Sequence, residues 1–199
     1  MSQTTTTEIK QEERKQLYAY QQGDINAIFD RLDNAPKNHH LLYQLPTGGG
    51  KTVIFSEIVR RYLADYDKKV VVLTHRIELC KQTSKMLKSF NVKNKIINSV
   101  IKELPDQEEY SCFVAMVETL KNRLNDEKLQ IENVGLVIID EAHYNSFRKL
   151  LVSFKNSFIL GVTATPLSSN INLPMNENYD ELIVGDPINR LIENGFLAK

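Results

Sequence analysis

Leu41-Leu42-Tyr43-Gln44-Leu45 is an apolar run that leads into Pro46-Thr47-Gly48-Gly49-Gly50-Lys51-Thr52, and a helical pattern follows. A strand, a glycine loop and a helix in that order are the context of a phosphate-binding loop. Glycine lets the backbone curl until successive N–H groups point at one centre. The helix opening near Lys51 adds the positive end of its dipole. On this reading Thr47, Gly48, Gly49 and Gly50 cradle phosphates. Lys51 reaches the outer phosphates, and the Thr52 hydroxyl ligates Mg²⁺. The strict pattern has glycine where this chain has Leu45. Taken alone, the stretch also reads as a glycine-rich turn that holds no nucleotide.

Downstream, Ile54, Ile58 and Tyr62 form one apolar row, and Phe55, Val59 and Leu63 another, so the helix packs on a sheet. Val70 to Leu73, Ser111 to Met116, Val134 to Ile139 and Phe158 to Val162 read as further strands, and Lys95 to Ile101 as a short one. Such continuous apolar runs mark parallel strands buried on both faces. Helical patterns alternate with them. Leu79, Thr83, Met86 and Phe90 mark one, Val117, Leu120 and Leu124 the next, and Phe147 to Phe154 another. Before the glycine loop, residues 12–32 read as helix with a possible break and fresh N-cap at Asp24. Near the end, Asp186 reads as an N-cap with Pro187 at the first helical position and Gly195 as the stop. The fold class is α/β, a doubly wound and mostly parallel sheet.

Two carboxylates, Asp140 and Glu141, follow the run Leu136-Val137-Ile138-Ile139. Ligands of open α/β sheets bind outside the carboxyl ends of strands, so this pair should share a crest with the glycine loop. Nucleotide hydrolysis uses two such acids. Asp140 would hold Mg²⁺, and Glu141 would orient and deprotonate water. A solvated acidic turn is the other reading of the pair by itself.

Composition sets bounds. Of 199 residues, 42% are hydrophobic and 25% charged, which suits an ordinary globular chain. Lys plus Arg balances Asp plus Glu at 25 each, so net charge does not announce a polyanionic partner. Arg76, Lys81, Lys85, Lys88, Lys93 and Lys95 nevertheless cluster against Glu78 alone. That stretch reads either as a solvated helix face or as a basic surface. Cys80 and Cys112 are far apart and lack metal spacing, so they do not suggest a disulfide scaffold or a zinc site and read as buried small apolar residues. No run approaches a membrane span and no signal-peptide core opens the chain, so a cytoplasmic protein is expected. Residues 1–11, with four consecutive threonines, read as a disordered tail. Residues 12–199 read as one domain.

Pro46-Thr47-Gly48-Gly49-Gly50-Lys51-Thr52, Asp140-Glu141-Ala142-His143 and Thr163-Ala164-Thr165-Pro166 resemble motifs I, II and III of superfamily 2 helicases. Leu73-Thr74-His75-Arg76-Ile77-Glu78-Leu79-Cys80-Lys81-Gln82 resembles motif Ia, and Ala115 to Leu120 the Ib region. The wording Thr-His-Arg-x-Glu-Leu resembles the DNA-acting branch, which includes restriction-enzyme motor subunits and repair helicases. The resemblance implies a first RecA-like domain with ATP and Mg²⁺ as cofactors. It implies nucleic acid as partner, DNA rather than RNA, with an RNA helicase or a non-catalytic binding module as the alternatives. Gln21 would read the adenine edge, although Tyr18 and Ala19 stand where the family often has Arg and Pro. His143, Thr163 and Thr165 would couple the nucleotide to the strand. Thr74, His75, Arg76 and Thr119 would line the strand-binding face. Nothing after Pro166 resembles motifs IV to VI, so the chain reads as the first motor domain of a longer protein. A second RecA-like domain would supply the missing arginines, and this chain alone should hydrolyse ATP poorly.

Overall fold

The computed structural model describes residues 16–100, 107–125, 130–167 and 175–198. The expected tail at residues 1–11, the start of the helix expected from residue 12, and the loop at 168–174 lie outside them. So do residues 101–106 and 126–129. The order of elements is α1 (Ala19–Asn34), β1 (His40–Gln44), α2 (Lys51–Asp65), β2 (Lys69–Thr74), α3 (Ile77–Ser89) and β3 (Lys95–Ile97). Then come β4 (Cys112–Met116), α4 (Val117–Asn125), β5 (Val134–Asp140), α5 (Arg148–Leu151), β6 (Phe158–Thr163), β7 (Glu181–Val184) and α6 (Ile188–Glu193).

The strands form one 7-stranded sheet in the order β3-β4-β2-β5-β6-β1-β7. Every described pairing is parallel. Alternation along the strands divides the core in two, because successive side chains point to opposite faces. Val70, Val72, Leu136 and Ile138 pack on one face with Ile25 and Ile28 of α1, Ile54 and Ile58 of α2, and Leu87 of α3. Val71, Leu73, Val137 and Ile139 pack on the other with Val117 and Leu120 of α4, Phe147 and Leu150. The sheet is therefore doubly wound.

Register brings the two motif-bearing turns to one crest. Gln44 stands opposite Thr163 at the end of β1. Asp140 stands opposite Val162 at the end of β5. The glycine loop and the acidic pair are thus one strand apart, with β6 between them.

Several local expectations are corrected. α1 runs unbroken through Gly23 and Asp24. Asp24 caps nothing there, because its Oδ2 accepts the Tyr43 hydroxyl at 2.6 Å. On α3 the buried stripe is Cys80, Thr83, Ser84 and Leu87, with Leu79 and Met86 only half-buried. Residues 147–154 hold only one short α-helix, α5, between 3₁₀ turns at Asn145–Phe147 and Val152–Phe154. The N-cap of α6 is Pro187 rather than Asp186. Strand β7 was not anticipated: Leu182-Ile183-Val184 is too short and too closely flanked by acids to read as a strand without its neighbour β1.

Gly161 in β6 makes room for the buried ring of Tyr179. A Cβ there would lie 2.3 Å from the Tyr179 oxygen and 2.5 Å from its Cζ. The backbone and a rigid ring are both fixed, so Gly161→Ala should destabilise by about 1–3 kcal/mol. Urea unfolding measures it, and an unchanged midpoint would show that the ring is not seated over β6.

Candidate functional site

Beyond β1 the backbone keeps one more tie to the sheet, from the Leu45 N–H to the Thr163 carbonyl at 3.0 Å. It then turns sharply. Gly48 and Gly50 have φ of +83° and +84°, a region that only glycine enters without strain. The Gly49 N–H bonds the Pro46 carbonyl at 3.0 Å and closes the loop. Gly50 is the N-cap of α2, no side chain caps that end, and its first turn holds no acid. The positive pole of the helix and its orphan N–H groups are left for an anion.

Leu45 fits in place of the missing glycine because two other glycines yield space to it. A Cβ on Gly49 would lie 2.8 Å from the Leu45 Cγ, and one on Gly185 would lie 2.9 Å from its Cδ1. Leu45 is fully buried under the loop. Lys51 and Thr52 are half-buried at its rim. The Lys51 ammonium donates to the Leu45 carbonyl at 3.3 Å.

Gln21 is only 4% exposed, which rules out a plain surface helix residue. Its Oε1 accepts the Tyr18 N–H at 3.0 Å, forming the capping box of α1. Its Nε2 lies so near the glycine loop that a Cβ on Gly50 would stand 2.5 Å from it. The sequence did not single out Tyr20, whose hydroxyl donates to the Gly49 carbonyl at 2.7 Å. Phe196 was missed as well. Its ring centroid lies 4.7 Å from that of Tyr18 and 5.0 Å from that of Tyr20. Leu197 approaches Gly48, where a Cβ would lie 2.9 Å from its Cδ2. No periodicity or spacing links residues 18–20 to residues 196–197, so only the fold reveals this aromatic wall beside the loop.

Asp140 closes β5 and is buried. Burial, then the neighbouring charge of Glu141, pushes its pKa up to about 6, against the pull of the Glu141 N–H and of Lys51. A buried carboxylate held back in this way suits a cation. Glu141 follows at φ +54°, left-handed backbone that is uncommon for a side chain of its size. Its N–H returns to Asp140 Oδ1 at 3.0 Å. Asp140 stays buried at the strand end, whereas the Glu141 side chain is a third exposed.

His143 Nδ1 lies 3.3 Å from Glu141 Oε2 and 3.1 Å from Thr163 Oγ1. The Thr163 hydroxyl donates to the Thr165 carbonyl at 2.7 Å, so Nδ1 must be the donor toward Thr163. Thr165 returns its N–H to the same oxygen at 3.1 Å. His143, Thr163 and Thr165 thus form one hydrogen-bonded cluster beside the glycine loop, with the Glu141 carboxylate 3.3 Å from the His143 ring.

The residues expected on a strand-binding face divide. Arg76 is exposed, and Thr119 is half-buried on α4. Both stand at the same crest, because Thr74 pairs with Met116. Thr74 itself is fully buried, a correction to its surface role. Its hydroxyl donates to the Arg76 carbonyl at 3.2 Å and contacts Cys80 Sγ at 2.8 Å, shaping the turn. His75 is also turned inward. Burial, and then His143, lower its pKa to about 4, so it is neutral at pH 7 and cannot act as a phosphate-binding cation.

Residues 14–168 match the family model described as type III restriction enzyme, res subunit. The chain is 36% identical over 164 residues to the putative ATP-dependent helicase IRC3 of Saccharomyces cerevisiae, covering 75% of this chain but 23% of that protein. The UvsW helicase from bacteriophage T4 superposes with a TM-score of 0.65 at 20% identity, over 84% of this chain and 59% of that one. The type ISP restriction-modification enzyme LlaGI, solved with a DNA substrate mimic, gives a TM-score of 0.69 at 16% identity, over 91% of this chain and 21% of that one. At these identities the two structures share the fold. Among the described residues no helix is long and apolar enough to cross a membrane.

Proposed function

Because the chain belongs to the type III restriction enzyme res-subunit family, we propose that it is the ATP-binding motor domain of a helicase or translocase that acts on DNA. One observation carries the reading. A left-handed glycine loop opening α2 and a kinked Asp140-Glu141 pair share a crest, one strand apart, and His143 ties that pair to Thr163.

In this reading the loop N–H groups and Lys51 bind phosphate oxygens. The Thr52 hydroxyl and the Asp140 carboxylate are the residues that would hold Mg²⁺. The ion, when bound, neutralises charge on the phosphates. Glu141 orients the attacking water and takes its proton. Gln21 selects adenine beside the aromatic wall. Arg76 and Thr119 contact the backbone of the strand, which positions it without reading sequence. The motif Ia wording and the restriction-enzyme family to which the chain belongs support DNA rather than RNA. A second RecA-like domain in a longer parent would add transition-state arginines, and an arginine of that kind is worth about 10³–10⁵ in rate in GTPases. The isolated chain should therefore bind nucleotide and turn it over slowly.

The test is calorimetric titration of Mg–ATP across pH. Asp140 has a raised pKa near 6 and must be ionised to hold the cation. Above pH 7 it already carries its charge, and affinity should be level. Below pH 6 affinity should fall about tenfold per unit, with a proton released on binding. Asp140→Asn should abolish that proton release while weakening binding. Equal Mg–ATP affinity at pH 5 and pH 8 in the natural protein would count against Asp140 as the metal ligand. Absence of binding at any pH would overturn the function.

A further inference from the structure

Beyond the expected hydrogen-bonded link through Thr163, a second route joins the strand-binding face to the acids. His75 precedes the exposed Arg76, yet its ring faces the turn after β5. Its Nδ1 lies 3.1 Å from Ser146 Oγ. Its ring centroid is 4.8 Å from that of Tyr144, which is 4.2 Å from that of His143. His143 in turn contacts Glu141 Oε2 at 3.3 Å. The backbone carbonyl of Glu141 also faces the His75 ring, and the titratable groups near it are His143 and Glu118. The His75 Nε2 is buried and makes no hydrogen bond of good geometry.

We propose that His75 is a positioning residue that couples strand binding at Arg76 to Glu141, by packing on Tyr144 and bonding Ser146. The proposal rests on the function given above and adds a named route to it. A strand that draws Arg76 outward moves the adjacent His75. Tyr144 touches both imidazole rings from the surface side, so a shift of His75 passes through it to His143 and the Glu141 turn. Packed rings transmit such a displacement because protein interiors switch between discrete arrangements rather than deform continuously. His75 acts here as a neutral wedge, whereas the cationic contact with the strand falls to Arg76.

Coupling is read as the factor by which a saturating dT oligonucleotide changes Mg–ATP affinity. In the natural chain this factor should lie in the range of about 5–150. His75→Ala and Ser146→Ala should each bring it toward one, while affinity for the oligonucleotide alone and for Mg–ATP alone stays within about twofold. Arg76→Ala should instead weaken the oligonucleotide itself. Ser146→Ala removes a single half-buried hydroxyl and keeps the experiment interpretable if His75→Ala folds poorly. If His75→Ala retains full coupling, or loses strand affinity as Arg76→Ala does, the proposal is wrong. If the natural chain binds both ligands with no coupling, this proposal fails and the function stands. If it binds no Mg–ATP, the function itself fails.

Discussion

Glu141→Gln is expected to slow ATP hydrolysis by about 10²–10⁴-fold while leaving Mg–ATP binding nearly unchanged, in this chain or any longer protein that contains it. The magnitude is that of removing a positioned general base. The side chain is a third exposed, close to the crest, and aimed by a left-handed backbone. Gln keeps the size of the side chain and its place 3.3 Å from His143, so geometry and folding should survive. It cannot take a proton from water. The electrostatics add a second expected result. Glu141 is the charge that raises the pKa of Asp140, after burial. Removing it should lower that pKa, so the acid limb of Mg–ATP binding should move below its natural midpoint near pH 6. Single-turnover phosphate release and calorimetry together check both. Hydrolysis retained in the variant would remove Glu141 from the reaction. An unmoved acid limb would show that burial alone sets the Asp140 pKa.

The parts of this site that could be read from sequence are those built by consecutive residues. The glycine loop, the Asp140-Glu141 turn and the Thr163 turn each follow an apolar run, and each run is a central strand. Their common crest follows from parallel pairing, which continuous apolar runs already imply. What escaped depends on contacts between distant segments. Tyr20 bonds the Gly49 carbonyl, and Phe196 closes an aromatic wall that no local pattern encodes. Leu45 read as a departure from the pattern, yet it is accommodated by glycines at 49 and 185, the second from the far end of the chain. Thr74 and His75 lie at a strand end, where a one-residue rotation decides between solvent and core. Their inward turn is set by Cys80 and Ser146. Strand β7 needed β1 beside it before its brief apolar run meant anything.

Lys51→Ala should weaken Mg–ATP binding by about 10²-fold or more without unfolding the protein. One charge-assisted hydrogen bond contributes about 1.5–3 kcal/mol, and an ammonium meeting two phosphates makes more than one. A factor of 10² needs only about 2.8 kcal/mol. The nucleotide-free protein gains little from this side chain. Lys51 opens α2, where a cation opposes the helix dipole. Its one described hydrogen bond, to the Leu45 carbonyl, is long at 3.3 Å. Relief of the dipole conflict and loss of attraction to Asp140 act in opposite directions. The unfolding free energy should therefore change by no more than about 0.5 kcal/mol. The two effects separate in one thermal-shift series. At a nucleotide concentration of about 100 times the natural Kd, the natural chain gains about 2.7 kcal/mol and the variant roughly 0.4 kcal/mol. A variant that unfolds early without nucleotide would make Lys51 a structural residue. A variant with the full nucleotide-dependent gain would place the phosphates away from this loop, and the role of the glycine crest with them.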